Sequence, residues 1–191
     1  METLRCVATL RGHTNWVRAV AVTPDGKRAI SAGDDHVLHC WSLESADRIS
    51  SSGTVNLNNN VTLKGHTGWV IAVAVTPDGR HAISGGSDGE LRKWCLEEHI
   101  CVAAVANGHL WRGALLCAVA ISPDGSLVLS GGGNRFLRVQ RVDDLSLVAT
   151  LQHEQQGEVS AVAITPDGRY ALCGSRSRFA FSDSDGRLHI W

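Results

Sequence analysis

Four short runs of almost unbroken apolar residues recur along this chain: Val17 to Val22, Val70 to Val75, Leu116 to Ile121 and Val159 to Ile164. Each closes on Ala-Val-Ala followed by Val or Ile. Runs this short and this rich in β-branched residues predict strands buried on both faces, not helices. A turn follows each one: Thr23-Pro24-Asp25-Gly26, Thr76-Pro77-Asp78-Gly79, Ser122-Pro123-Asp124-Gly125 and Thr165-Pro166-Asp167-Gly168. These turns hold all 4 prolines of the chain. Proline presets φ at the first corner, Asp hydrogen-bonds locally, and Gly takes a left-handed conformation that other residues resist. Such a turn joins antiparallel strands.

A second run follows each turn, at Arg28 to Ser31, His81 to Ser84, Leu127 to Ser130 and Tyr170 to Cys173. Gly/Asp-rich turns then lead to third strands such as Val37 to Trp41 and Glu90 to Trp94. Fourth strands run into Gly12-His13, Gly65-His66, Gly108-His109 and the altered Gln152-His153. The turn prolines are 53, 46 and 43 residues apart. Short strands in sets of four at that period are the mark of radial blades, none of which shields its apolar flanks alone.

These motifs resemble the WD-repeat family of β-propellers over essentially the whole chain. The resemblance implies an all-β propeller with blades at about 14–63, 67–107, 110–152 and 154–191, the last completed by an N-terminal strand at 4–11. It also implies one hydrogen-bonded tetrad per blade, tying strands together through buried polar groups. The first blade matches with His13, Ser31, Asp35 and Trp41, the second with His66, Ser84, Asp88 and Trp94. The third keeps His109 and Ser130 but has Asn134 and Gln140 where Asp and Trp belong. The fourth has His153, Asp185 and Trp191, with Cys173 at the Ser position. Those two blades are predicted to be less rigid, and Arg176 to Ser184 to bulge as a loop. The Trp-Asp pair that names the family is replaced by Trp41-Ser42 and Trp94-Cys95.

Val7-Ala8-Thr9-Leu10 recurs letter for letter as Val148-Ala149-Thr150-Leu151, a phasing that lets an N-terminal strand complete the last blade. Three arrangements stay open: a small closed ring of four blades, a ring shared between two chains as a homodimer, or a truncated piece of a longer array, since Trp191 falls in mid-motif. The Ser- and Asn-rich insertion Ser45 to Asn60 reads as a flexible loop.

At 191 residues the chain is long enough to bury a real core. With 18 Lys+Arg against 19 Asp+Glu it offers no basic excess, which disfavours nucleic acid as the main partner. The start lacks a secretory pattern, and no apolar run approaches the roughly 18 residues a membrane span needs. Six dispersed cysteines (Cys6, Cys40, Cys95, Cys101, Cys117 and Cys173) without a CxxC pair read as reduced thiols in a cytoplasmic protein, where the sequon Asn60-Val61-Thr62 stays unused.

Candidate chemistry is thin. Gly85-Gly86-Ser87-Asp88-Gly89 fits a nucleophile-elbow pattern but joins two strands, whereas that motif works between a strand and a helix. Gly131-Gly132-Gly133 lacks the Lys of a phosphate loop. His36, His39 and Cys40 alternate across a strand, and Cys95, His99 and Cys101 straddle a turn, so neither set converges on a metal. No catalytic residue, cofactor or metal is expected. Ala- and Val-rich inner strands also disfavour an enzyme with a channel site.

Trp16 and Trp69 follow the Gly-His corners at one offset, and Trp111-Arg112 lies near the third. The corner before each first strand and the turn after each second strand share one end of a blade. Trp16, Arg18, Asp34, Trp69, Ser87, Trp111 and Arg112 are therefore expected on one rim, with Trp16 and Trp69 either exposed there or packed between blades. Trp and Arg dominate binding hot spots, so other proteins or peptides are the expected partners. The repeat style also resembles the sensor repeats appended to STAND-type signalling ATPases, which implies sensing or autoinhibition as the alternative; the chain carries no Walker loop.

Overall fold

The computed structural model describes residues 6, 9–44, 60–106, 115–133, 136–152, 158–176 and 187–191. Among them are strands and no helix. The first sheet holds β1 (Val17–Val22), β2 (Arg28–Gly33), β3 (Val37–Ser42) and β4 (Asn60–Lys64), and the second β5 (Val70–Val75), β6 (His81–Gly86), β7 (Glu90–Cys95) and β8 (Ile100–Ala106). The third holds β9 (Leu116–Ile121), β10 (Leu127–Gly132), β11 (Phe136–Arg141) and β12 (Leu147–Gln152). The fourth holds β13 (Glu158–Ile164), β14 (Ala171–Arg176) and β15 (Arg187–Ile190). Each sheet is an antiparallel meander in chain order. The insertion at 45–59, residues 4, 5, 7 and 8 of the N-terminal strand, and residues 177–184 of the fourth-blade insertion lie outside the described residues.

The turns follow directly from their sequence. The Gly26 amide donates to the Thr23 carbonyl at 2.8 Å, Thr23 Oγ1 donates to Asp25 at 2.6 Å, and the Lys27 amide donates to the same Asp25 oxygen at 3.0 Å. Gly26, Gly79, Gly125 and Gly168 all have φ between 70° and 76°, the conformation for which glycine is suited.

The inner strands β1, β5, β9 and β13 lie side by side, and β5, β9 and β13 each also touch the second strand of the preceding sheet. Apolar packing fills the joints. Ile30, Ala32, Leu38, Cys40 and Leu63 of the first blade cluster with Val70, Ala82, Trp94 and Leu96 of the second. Ile83 and Leu91 of the second cluster with Leu116, Val128, Val142 and Leu145 of the third. Cross-blade hydrogen bonds accompany them: Arg28 Nη1 donates to the Leu96 carbonyl at 2.6 Å, and Lys93 Nζ to the Asp143 carbonyl at 3.2 Å. Among the described residues no comparable packing joins the first sheet to the fourth, so the blades form an open arc.

The arc corrects one expectation. β1 is not buried on both faces: Val17, Val20 and Val22 are exposed, because no blade among the described residues covers that flank, whereas the equivalent Val70 is fully buried by its neighbour. In β13, Ser160, Ala161 and Ala163 are exposed as well.

The second strands need small residues where the next blade presses in. A Cβ on Gly85 would lie 1.9 Å from Leu116 Cδ2, and one on Gly131 2.3 Å from Val159 Cγ1. Gly85→Ala is therefore expected to overpack the second joint and cost about 1–3 kcal/mol, read as a lower urea midpoint at unchanged slope.

Candidate functional site

Two polar constructions are built on this frame. The first is the tetrad. In the first blade Trp41 Nε1 donates to Ser31 Oγ at 2.8 Å, the hydroxyl meets His13 Nε2 at 2.7 Å, and His13 Nδ1 meets Asp35 at 2.9 Å. The second repeats it: Trp94 to Ser84 at 2.8 Å, Ser84 to His66 at 2.7 Å, and His66 to Asp88 at 2.8 Å. One proton arrangement serves every member, with indole and hydroxyl donating in turn and the Nδ1 hydrogen donating to the carboxylate. The Thr14 and Thr67 amides also donate to these carboxylates. Burial alone would push the Asp88 carboxyl up, but the hydrogen bonds from His66 and from the Thr67 and Glu90 amides outweigh it and lower its pKa from 3.8 to about 2. For Asp35, too, burial opposes ionisation, yet the His13 and Thr14 hydrogen bonds hold it below its ordinary value.

The later blades carry less of this. Ser130 is buried, but Gln140, in the Trp position, turns its Nε2 to the Leu145 carbonyl at 2.8 Å, and its Oε1 has no partner among the described residues. In the fourth blade Cys173 is buried where a serine hydroxyl stands elsewhere, and Trp191, which brackets Ala171 with two backbone hydrogen bonds, is 40% exposed. His109, His153 and Asp185 lie outside the described residues, as do Trp111 and Arg112.

The second construction sits on the rim between the first two blades. Every first strand carries a β-bulge against its partner, with Arg18, Ile71, Cys117 and Ser160 as the extra residues. A bulge re-aims a side chain without moving the rest of the ladder. In the first blade it presents Arg18 to Asp34, with Nε to Oδ1 at 2.7 Å and Nη2 to Oδ2 at 2.5 Å. Asp34 is buried, and its hydrogen bond raises the Arg18 pKa further above the ordinary value. The fixed guanidinium lies 5.0 Å from the Trp16 ring centroid and 5.8 Å from that of Trp69, within cation–π range of both. Trp16 is 70% exposed and Trp69 44%. Ser87 is half-buried, its amide bonded to the Trp69 carbonyl as the Asp34 amide is to that of Trp16.

The rim residues Trp16, Arg18, Asp34 and Trp69 are thus brought together, with Asp34 as the anchor of Arg18 beneath the surface. The bulge had one sequence signal: Arg18 is the only charged residue in the four Ala/Val-rich runs. His39 lies against the tetrad of the first blade. It is buried, 4.5 Å from the His13 ring, and its Nδ1 accepts from Asn60 at 3.0 Å. Burial lowers its pKa. His13, Asp35 and His39 bring possible ligand atoms within 4.8 Å, as do His66, Asp88 and Glu90. His13, Asp35, His66 and Asp88 are committed to the tetrads, His39 to Asn60, and Glu90 to Arg92 at 2.8 Å, so hydrogen bonds account for both sets.

Comparison with known proteins agrees with this frame. The model of the WD domain, G-beta repeat, matches at residues 4–42, 58–95, 100–139 and 145–191, and the chain belongs to the WD40 repeat family. It is similar to mouse striatin (33% identical over 86 residues), bovine striatin-3 (31% over 86 residues) and the Caenorhabditis elegans small ribosomal subunit protein RACK1 (39% over 88 residues). Each match covers 45% of this chain, but only 11% of the striatins and 24% of RACK1.

Ser84→Ala removes the acceptor for Trp94 and the partner of His66 at a fully buried position, and is expected to destabilise by about 2–4 kcal/mol in chemical unfolding. Because the folded-state pKa of Asp88 is depressed, its contribution is complete above about pH 4 and lost as pH falls towards 2. The thermal midpoint should hold level above that window and drop within it, and Asp88→Asn should flatten part of the drop while lowering the plateau.

Proposed function

We propose that this chain is a non-enzymatic interaction module that binds other proteins or peptides on the rim carrying Trp16, Arg18 and Trp69. One observation carries the reading: two exposed indoles flank a guanidinium already locked by a buried carboxylate. Large aromatic area and a pre-oriented Arg are what hot spots use, and little side-chain freedom is left to lose on binding. The pair of indoles spans two blades, so a ligand there contacts the surface only an assembled joint creates. Similarity to a protein named for the small ribosomal subunit supports a role among macromolecular partners. Trp111 and Arg112 extend the same reading to the third blade.

Catalysis has no support in the geometry. Ser87 stands in a strand-to-strand turn, and no helix dipole or histidine activates it among the described residues. Among those residues no helix is long and apolar enough to cross a membrane, and a cytoplasmic setting completes the proposal.

The test is quantitative capture by the wild type and by a Trp16→Ala/Trp69→Ala variant shown to fold by circular dichroism. Partner affinity is expected to fall at least about tenfold. Equal capture by both proteins overturns the rim assignment, and turnover in a substrate panel would revive the enzyme reading.

A further inference from the structure

The rim between the first two blades is one-sided in its hydrogen bonding. Its acceptors are engaged from within the chain. Arg18 takes both Asp34 oxygens, and the Trp16 amide takes Asn15 Oδ1 at 2.8 Å. The carbonyls of Trp16 and Trp69 receive the Asp34 and Ser87 amides at 2.9 and 2.8 Å. The donors are not so engaged. Among the described residues neither the Trp16 nor the Trp69 indole N–H has a partner, and Arg18 keeps Nη1 and one hydrogen of Nη2 free. The half-buried Ser87 hydroxyl can donate as well as accept.

Charge narrows the ligand further. An anion would meet a guanidinium that Asp34 already neutralises, and a second cation would meet the guanidinium that lies near both indoles. What remains is a neutral ligand with apolar rings for the indoles, many carbonyl acceptors and few N–H groups. Exposure of the surface does not depend on what adjoins the first blade. Trp69 has a blade on either side of its own and is still 44% exposed.

We propose that the occupant of this rim is a proline-rich segment of a partner protein, bound as a polyproline II helix; this rests on the rim reading above and gives that partner its chemistry. Proline has no N–H to leave unmatched and a ring that lies flat on an indole. The polyproline II backbone makes no internal hydrogen bonds, so its carbonyls stand free to accept from Arg18 Nη1 and the two indoles. The spacing agrees. The ring centres of Trp16 and Trp69 are no more than about 11 Å apart, through their distances to Arg18, and one turn of that helix rises about 9 Å. Prolines three positions apart therefore rest on the two indoles, with Arg18 beneath the carbonyls between them. Both sides are preset: the ligand by its fixed φ, the arginine by Asp34.

Isothermal titration calorimetry with a blocked peptide of about ten prolines tests it. The full chain is expected to bind saturably below about 1 mM, with an affinity that does not change between low and high salt. A blocked Gly-Ser peptide of equal length, which offers the carbonyls without the rings, should not saturate. Trp16→Ala and Trp69→Ala each alter an exposed side chain, so both should fold, as circular dichroism checks, and each should weaken polyproline binding at least about tenfold. No saturable binding up to about 1 mM, equal affinity in both variants, or preference for a blocked glutamate peptide would each overturn it. If polyproline fails to bind while the double variant still loses its captured partner, the rim reading stands and the proline-rich assignment falls.

Discussion

The joint between neighbouring blades is the contact on which the rest of the structure depends. A four-stranded meander whose inner strand reads Ala-Val-Ala-Val has apolar character on both flanks, and its own strands can cover neither. Burial of that surface, at about 25 cal/mol per Å², therefore accrues only when blades stack. The glycines of the second strands set how closely the stack can approach. Where a neighbour is present, Val70 and Leu116 vanish from solvent; where none is, Val17 stays out.

Polar interactions have a different task. The tetrads of the first two blades lie across strands already packed by apolar contact, and they keep an indole, a hydroxyl and an imidazole from being buried without partners. The third blade replaces the indole by Gln140, whose amide oxygen has no partner among the described residues, and the fourth replaces the hydroxyl by Cys173. Stability should accordingly be graded along the arc, with local opening easiest at the fourth blade.

The strands, the turns and the period were legible because each rests on local chemistry: β-branched runs, a proline that presets φ, and a glycine at positive φ. The residues of the first two tetrads were named through resemblance, and hydrogen bonds join His13, Ser31, Asp35 and Trp41 in one blade and His66, Ser84, Asp88 and Trp94 in the next. What escaped was non-local. Nothing in the letters of β1 says that its flank is uncovered, because burial there depends on a neighbour and not on the strand. The bulge at Arg18 left only the trace of one charge in an apolar run, since the extra residue itself is defined by the register against its partner strand. His39 was set aside as a metal ligand because it and His36 alternate across a strand, but its ring contact with His13 joins separate segments and was not legible in that pattern.

The bulge separates two requirements that usually conflict in a sheet. Ladder register and core filling are set by Val17, Ala19 and the residues opposite them, while the inserted position between them answers to neither. Arginine occupies it in the first blade, isoleucine, cysteine and serine in the others. Each repeat thus owns one address at which surface chemistry can be rewritten without disturbing the architecture that displays it.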